Sequence, residues 1–130
     1  RTDPQENCMA ARYQEYEKEL KTAGIHILHN ESCSLQVGKT SLTVYGLEVP
    51  LIYYKKPFSP QLKREEIREL IGEPSSDSLN ILLAHSPKYG DTYFDWGADL
   101  AGTMDCFPHS FIHFRSSAAE ISTGRISICW

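Results

Sequence analysis

The pattern of apolar positions is most informative between residues 79 and 100. Residues 79–84, with the sequence LNILLA, form an uncharged apolar run with the length of one strand. Near-continuous hydrophobicity of this kind is typical of a strand buried on both faces of a sheet. The run stops at His85, and Pro87 prevents its continuation because proline has no backbone N–H to donate. A histidine in this position lies where open α/β sheets place their ligand-binding groups.

A short helix is predicted directly after this loop. Tyr89, Tyr93 and Trp96 are spaced i, i+4 and i+7, so they share one helix face, and Gly97 is suited to end the helix. Another apolar segment begins at residues 98–100. The stretch therefore predicts one βαβ unit with its polar groups at a single edge, and its aromatic residues belong to the core.

Two more helices are predicted upstream, each followed by a glycine. Residues 4–23 precede Gly24, and residues 62–71 precede Gly72; glycine readily adopts the left-handed conformation that ends a helix. Each segment carries an apolar stripe at helical spacing. The stripe residues are Met9, Tyr13, Tyr16 and Leu20 in the first helix, and Leu62, Ile67, Leu70 and Ile71 in the second.

Alternation with period two predicts strands between these helices. Residues 25–28 predict a short strand, and residues 30–32 a turn. Residues 34–37 and 41–45 alternate on either side of Gly38-Lys39, which predicts a β-hairpin. Together with the helices, this order predicts an α/β fold in which helices cover a sheet.

Residues 103–130 show no sustained periodicity of apolar and polar positions. Within them, only the pattern of residues 121–128 predicts a strand. His109 and His113 are four residues apart, the spacing of two ligands on one helix face. The residues between them do not favour a helix, and no glutamate of an HExxH motif accompanies them. We therefore interpret both histidines as structural.

Composition narrows the function classes. The chain has 130 residues, which predicts one domain, and its formal net charge of −4 and pI near 5.7 disfavour a nucleic-acid partner. No apolar run approaches the roughly 20 residues of a membrane span, and no apolar core follows the polar residues 1–6 as a secretory leader would require. The cysteines lack CxxC spacing, so we expect reduced thiols and a cytoplasmic protein; they are Cys8, Cys33, Cys106 and Cys129.

His85 is the candidate site residue, and the residues alone leave two interpretations open. A histidine at the edge of the core that bonds to a backbone carbonyl is favoured over a metal ligand on this basis. The chain contains no nucleophile elbow of a serine hydrolase, no P-loop and no dinucleotide fingerprint, which removes those enzyme classes.

The segment ILLAHSPKYGDTYFDWGADL, residues 81–100, resembles the calcineurin-like metallophosphoesterases, whose bacterial members carry ILLAHNPxYFxxYxxWGADL. The resemblance extends over about residues 13–100. Its upstream part includes a helix that ends in a glycine, a segment that ends in Asn30-Glu31, and the sequence LTVYGLE.

The resemblance implies a β-sandwich flanked by helices, in α-β-β-α layers, that hydrolyses phosphate esters at a two-metal centre. The family's ligands come from five blocks: Asp-x-His, a later Asp, Asn-His-Glu, a lone His and Gly-His-x-His. Only the lone histidine has a counterpart, His85, which would ligate one of two Mn, Fe or Zn-type ions through a neutral imidazole. In such an enzyme a metal-bridging hydroxide attacks phosphorus.

The other four blocks are missing. Three would precede residue 1, and Ala101-Gly102-Thr103-Met104-Asp105 stands where the last should follow. We expect residues 1–102 to be a partial metallophosphoesterase domain and residues 103–130 a divergent or frameshifted tail, because codons for Gly-Thr-Met-Asp can spell Gly-His-Tyr-Gly in another register.

The predicted function is therefore that of a metal-dependent phosphoesterase, present as a fragment that is inactive alone. One imidazole without carboxylate partners does not hold divalent ions stably. The alternatives are a non-catalytic α/β binding or interaction module on the same scaffold and, with less support, a secreted disulfide-bonded domain. Without its partner sheet, the fragment is expected to self-associate through exposed strand surface.

Overall fold

A mixed α/β architecture is observed in the computed structural model, which describes residues 4–55, 57–104, 110–115 and 121–124. The helices are α1 (Pro4–Thr22), α2 (Arg64–Ile71) and α3 (Gly90–Trp96), with 3₁₀ turns at Leu51–Tyr54 and Pro87–Tyr89. The strands are β1 (Glu31–Val37), β2 (Thr40–Leu47), β3 (Leu79–Ala84), β4 (Leu100–Met104), β5 (Ser110–Arg115) and β6 (Ile121–Gly124). The predicted α/β class is thereby confirmed.

The six strands of the described residues belong to one sheet, in the order β1-β2-β3-β4-β5-β6. Strands β2, β3 and β4 are parallel neighbours, and antiparallel pairs flank them on both sides. Helices α2 and α3 form the connections between the parallel strands, since antiparallel hairpins alone can turn back within two residues. The predicted βαβ unit of residues 79–100 and the hairpin at Gly38-Lys39 are both confirmed.

The core lies between the parallel strands and helices α2 and α3. Leu82 at the centre of β3, Ile67 of α2 and Tyr93 of α3 are at most 1% exposed. The ring of Trp96 meets that of Tyr45 edge-on, with 4.9 Å between centroids, and its indole N–H donates to a backbone carbonyl oxygen. The predicted core assignment of the α3 aromatic residues is confirmed.

The opposite face of the sheet is only partly covered. Leu79 and Leu83 are 45% and 48% exposed, while Asn80 and Leu82 between them are buried. The prediction of a strand buried on both faces was therefore wrong. The physical reason is that α2 and α3 pack on one side of β3, so that its alternate residues remain accessible.

Residues 25–28 form irregular backbone, so the strand predicted there was also wrong. This segment crosses β2 at Gly46, where an added Cβ would lie 2.5 Å from both Cβ and the carbonyl oxygen of Leu28. The approach is possible because glycine has no side chain. The alternation of apolar and polar residues at positions 25–28 therefore reflects packing of this segment on the surface of the sheet; the segment is not one of its strands.

Helix α1 begins and ends close to the predicted bounds, and Gly24 follows it with a φ of +86°. Its apolar stripe is largely accessible, since Met9, Tyr13 and Tyr16 are 72%, 54% and 56% exposed. Helix α2 ends at Gly72 as predicted, and both Leu62 and Ile67 are buried.

In the tail, His113 belongs to strand β5, which rules out a shared helix face, and His109 lies outside the described residues. The strand predicted at residues 121–128 is confirmed over Ile121–Gly124, and its remainder lies outside the described residues.

The close approach at Gly46 yields a prediction about stability. Gly46→Ala should lower the free energy of unfolding by about 1–3 kcal/mol, because the methyl group meets backbone atoms that have to move. Gly90→Ala is the matched control: nothing lies within 4 Å of its Cβ position, and the residue is helical. The control should be neutral or stabilising by about 0.4–1 kcal/mol in urea unfolding; equal effects of the two changes would contradict the account.

Candidate functional site

The parallel strands deliver their carboxyl ends to one edge of the sheet. Leu47 at the end of β2 pairs with Ala84 at the end of β3, and Ala84 pairs with Thr103 in β4. The residues that follow β2 and β3, Glu48 and His85, therefore emerge at the same edge, which is where ligand sites form in sheets of this kind.

His85 is exposed and comes directly after the last residue of β3. Its imidazole meets the ring of Tyr54 edge-on, with 5.6 Å between centroids. The backbone beside it is held from below, because the hydroxyl of Tyr93 donates to the carbonyl oxygen of Ser86 at 2.6 Å. Burial raises the pKa of the Tyr93 phenol, so this group stays a donor at any physiological pH. The imidazole thus projects from a fixed base.

The described residues do not complete a metal site around His85. No group of three His, Cys, Asp or Glu side chains suited to a metal ion occurs in the described part of the chain. A dinuclear centre requires several anionic or imidazole ligands that converge within a few ångströms, which one exposed imidazole does not provide. The described donor set therefore does not fit a two-metal centre by itself.

A second histidine lies in a strongly polar contact. The ring of His29 is placed between two carboxylates, with Nε2 2.5 Å from Oε1 of Glu17 and Nδ1 2.6 Å from Oε1 of Glu48. We call these three residues the His29 cluster. It ties helix α1 to the end of strand β2, and it occupies both ring nitrogens, so it leaves neither of them for a metal.

The geometry of the His29 cluster depends on the next residue. Asn30 adopts a φ of +51°, a conformation that asparagine tolerates better than most residues. Its side-chain oxygen accepts a hydrogen bond of 2.7 Å from the backbone N–H of Glu48. The turn predicted at residues 30–32 is wrong for residues 31 and 32, which belong to β1. No pattern in the sequence revealed that residues 17, 29 and 48 meet.

The carboxylates perturb the titration of the histidine and are perturbed in turn. The hydrogen bond with Glu17, and then that with Glu48, raises the pKa of His29 above its ordinary 6.5. The hydrogen bond with His29 lowers the pKa of Glu17 below its ordinary 4.5. Both shifts favour the charged pair.

Acidic residues of the βαβ unit have structural positions. Asp91 and Asp95 lie on the exposed side of α3. Asp99 instead fixes the start of the neighbouring strand, because its carboxylate accepts from the backbone N–H of Asn80 at 2.8 Å. Both cysteines with described side chains, Cys8 and Cys33, are free thiols.

Comparison with known protein families, curated proteins and solved structures found no match for this chain. The described helices include none that is long and apolar enough to cross a membrane. The functional interpretation therefore depends on the residues themselves and on the geometry of the sheet edge.

The His29 cluster predicts a pH-dependent stability. The raised pKa of His29 adds stability that is complete below the ordinary value of 6.5 and is lost as the pH rises through the raised pKa. The lowered pKa of Glu17 adds stability that is complete above the ordinary value of 4.5 and is lost as the pH falls through the lowered pKa. The stabilisation should therefore be greatest between these values. His29→Gln should reduce the melting temperature more at about pH 5.5 than at about pH 9, as measured by circular dichroism.

His26→Gln is the control for this experiment, since His26 is exposed three residues away and makes none of these contacts. A loss of melting temperature in His29→Gln that is the same at both pH values would refute the ionic role of the cluster.

Proposed function

We propose that this chain is the C-terminal part of a metal-dependent phosphoesterase of the calcineurin-like class, with His85 as one ligand of its two-metal centre. The observation that carries the proposal is the segment 81–100, whose residues resemble that family's lone-histidine block. In support, this segment folds as strand, loop, helix and strand, with His85 at the carboxyl edge of the parallel strands.

The geometry of the loop is compatible with a ligand role. His85 is exposed, and the Ser86 carbonyl beside it is anchored by the buried Tyr93. A ligand that serves two closely spaced ions needs such a fixed origin. The hydroxyl of Ser86 accepts from the backbone N–H of Lys88 at 3.3 Å, which stabilises the turn after the histidine.

The missing ligands determine what the chain does alone. Among the described residues, no carboxylates or further imidazoles combine with His85 into a group that could bind a metal ion. The chemistry that two ions supply, activation of water and neutralisation of phosphoryl charge, thus requires ligands from outside this set. We propose that the 130 residues alone are inactive and that the complete enzyme acts on phosphate esters.

The proposal extends to the fold. In the implied sandwich, the partly exposed face of this sheet packs against a second sheet. Leu35 of β1, Leu42 of β2 and Leu79 of β3 are register partners on this face, and Leu83 follows four residues after Leu79, on the same face of the strand. We call these four residues the outer sheet face. Leu35, Leu79 and Leu83 are 44–48% exposed, which is the surface that a second layer would bury.

The second candidate is a non-catalytic α/β interaction module on the same scaffold. It is favoured by one observation, that the ring of His85 contacts Tyr54 while no metal-binding group surrounds it among the described residues. The two candidates differ in what the gene encodes on either side of this chain.

Nucleotide sequence and activity together test the proposal. Upstream codons for Asp-x-His and Asn-His-Glu, and a Gly-His in another frame after Ala101, are expected for the enzyme. A start codon at the boundary, directly before the codon of Arg1, with no such frame would favour the module. The isolated chain with manganese should not hydrolyse p-nitrophenyl phosphate; turnover that His85→Ala abolishes and His26→Ala preserves would contradict the predicted inactivity.

Exposure of the outer sheet face predicts self-association of the isolated chain. Sedimentation velocity should show a mass that rises with protein concentration, because a second copy buries the leucines. The double change Leu79→Thr and Leu83→Thr, which introduces polar β-branched side chains that suit a strand, should shift the protein toward the monomer. Leu51→Thr, at a 78% exposed position off the sheet, is the control; a wild-type monomer at every concentration would refute the prediction.

A further inference from the structure

A second exposed apolar surface lies on the loop that follows β2. Leu51 and Ile52 are 78% and 52% exposed, and Phe58 is 91% exposed, which makes it the most accessible large apolar side chain in the described part of the chain. Tyr54 is 36% exposed. Single exposed apolar residues are ordinary, but a cluster within eight residues marks an interaction surface.

The loop that presents these side chains is fixed at its base. The hydroxyl of Tyr89, itself buried, donates to the carbonyl oxygen of Tyr53 at 2.7 Å and lies 3.3 Å from that of Pro60. Both ends of the segment 53–60 therefore meet at one hydroxyl group. We call this segment the 53–60 loop.

The buried Tyr53 secures the loop further. Its ring is 8% exposed and meets that of Tyr89 edge-on, with 6.0 Å between centroids, and its hydroxyl donates to the carboxylate of Glu66. Since the base is held by these contacts, the exposed side chains are presented without a large ordering cost on binding.

The charge of this region is opposite to that of the whole chain. Residues 49–63 contain three lysines and no acidic residue, although the formal net charge of the protein is −4. Lys55 makes no ion pair among the described residues, and the ammonium group of Lys88 reaches the hydroxyl of Ser59, next to Phe58. Apolar side chains with adjacent lysines that lack a carboxylate partner among the described residues match a membrane interface, whose acyl region takes up the former and whose anionic headgroups attract the latter.

The neighbouring acidic groups are already occupied. Glu48 contacts His29 and receives no lysine of the loop, and Glu66 accepts from Tyr53 and from the backbone N–H of Lys63. Neither carboxylate pairs with Lys55, which is therefore available to an external anionic surface.

We propose that the 53–60 loop, together with Leu51 and Ile52, docks this protein on the surface of an anionic phospholipid bilayer. Phe58 and the two aliphatic side chains enter the interface, and Lys55 and Lys88 meet the headgroups. The surface lies at the same sheet edge as His85, to which Tyr54 connects it by ring contact. The proposal does not depend on phosphoesterase activity.

Flotation with lipid vesicles tests the proposal. The chain should float with vesicles of phosphatidylcholine that contain about 30% phosphatidylserine, and much less with phosphatidylcholine alone. High salt should weaken the binding. Phe58→Ser should lower the partition coefficient about tenfold, and Lys55→Gln about fivefold, since each lysine near such a surface contributes about 1 kcal/mol.

Val37→Ser is the matched control, because Val37 is 60% exposed on β1, away from the loop, and its loss should leave flotation unchanged. Circular dichroism of each variant confirms that it remains folded. Failure of the wild type to float with anionic vesicles, or equal flotation of Phe58→Ser, would overturn the proposal. So would an oligomer that Phe58→Ser dissociates, since a second copy would then be the occupant.

Discussion

The packing of α2 and α3 against one face of the parallel strands is the interaction on which the rest of the structure depends. It buries the aromatic side chains of α3 and of Tyr89 in the turn before it, without loss of hydrogen bonds, because their polar atoms reach backbone carbonyl oxygens. Trp96 donates to Gly72, Tyr93 to Ser86, and Tyr89 to Tyr53. Buried polar groups are costly unless they are paired in this way.

These hydrogen bonds also connect the core to the carboxyl edge of the parallel strands. The bond of Tyr93 holds the loop of His85, and that of Tyr89 holds the 53–60 loop. One aromatic cluster therefore fixes both a candidate ligand and a candidate docking surface. The opposite side of the sheet lacks comparable cover in the described part of the chain, which explains why Leu79 and Leu83 remain half exposed.

Local periodicity was sufficient to predict the elements whose burial it reflects. The spacing of Tyr89, Tyr93 and Trp96 located α3 and its buried face, and the alternation around Gly38 located the hairpin. Glycine positions also located the ends of three helices, since Gly24, Gly72 and Gly97 all have a positive φ.

Contacts between distant residues could not be predicted in this way. The bond between His29 and Glu48 joins residues 19 apart, and no local pattern encodes it. The strand expected at residues 25–28 failed for a related reason, because an apolar segment that lies on a sheet resembles one that lies within it. The sequence LNILLA likewise contains no information on which other elements pack against the second face of β3.

The central claim is that this chain contributes His85 to a larger two-metal centre. Measurement of bound metal tests this claim most directly. The reading frame that contains the chain would be expressed with its upstream codons, in wild-type form and with His85→Ala or His26→Ala, and the bound metal measured by elemental analysis. The account predicts that His85→Ala loses bound metal while His26→Ala retains the wild-type content. A His85→Ala protein with the full wild-type content would contradict it.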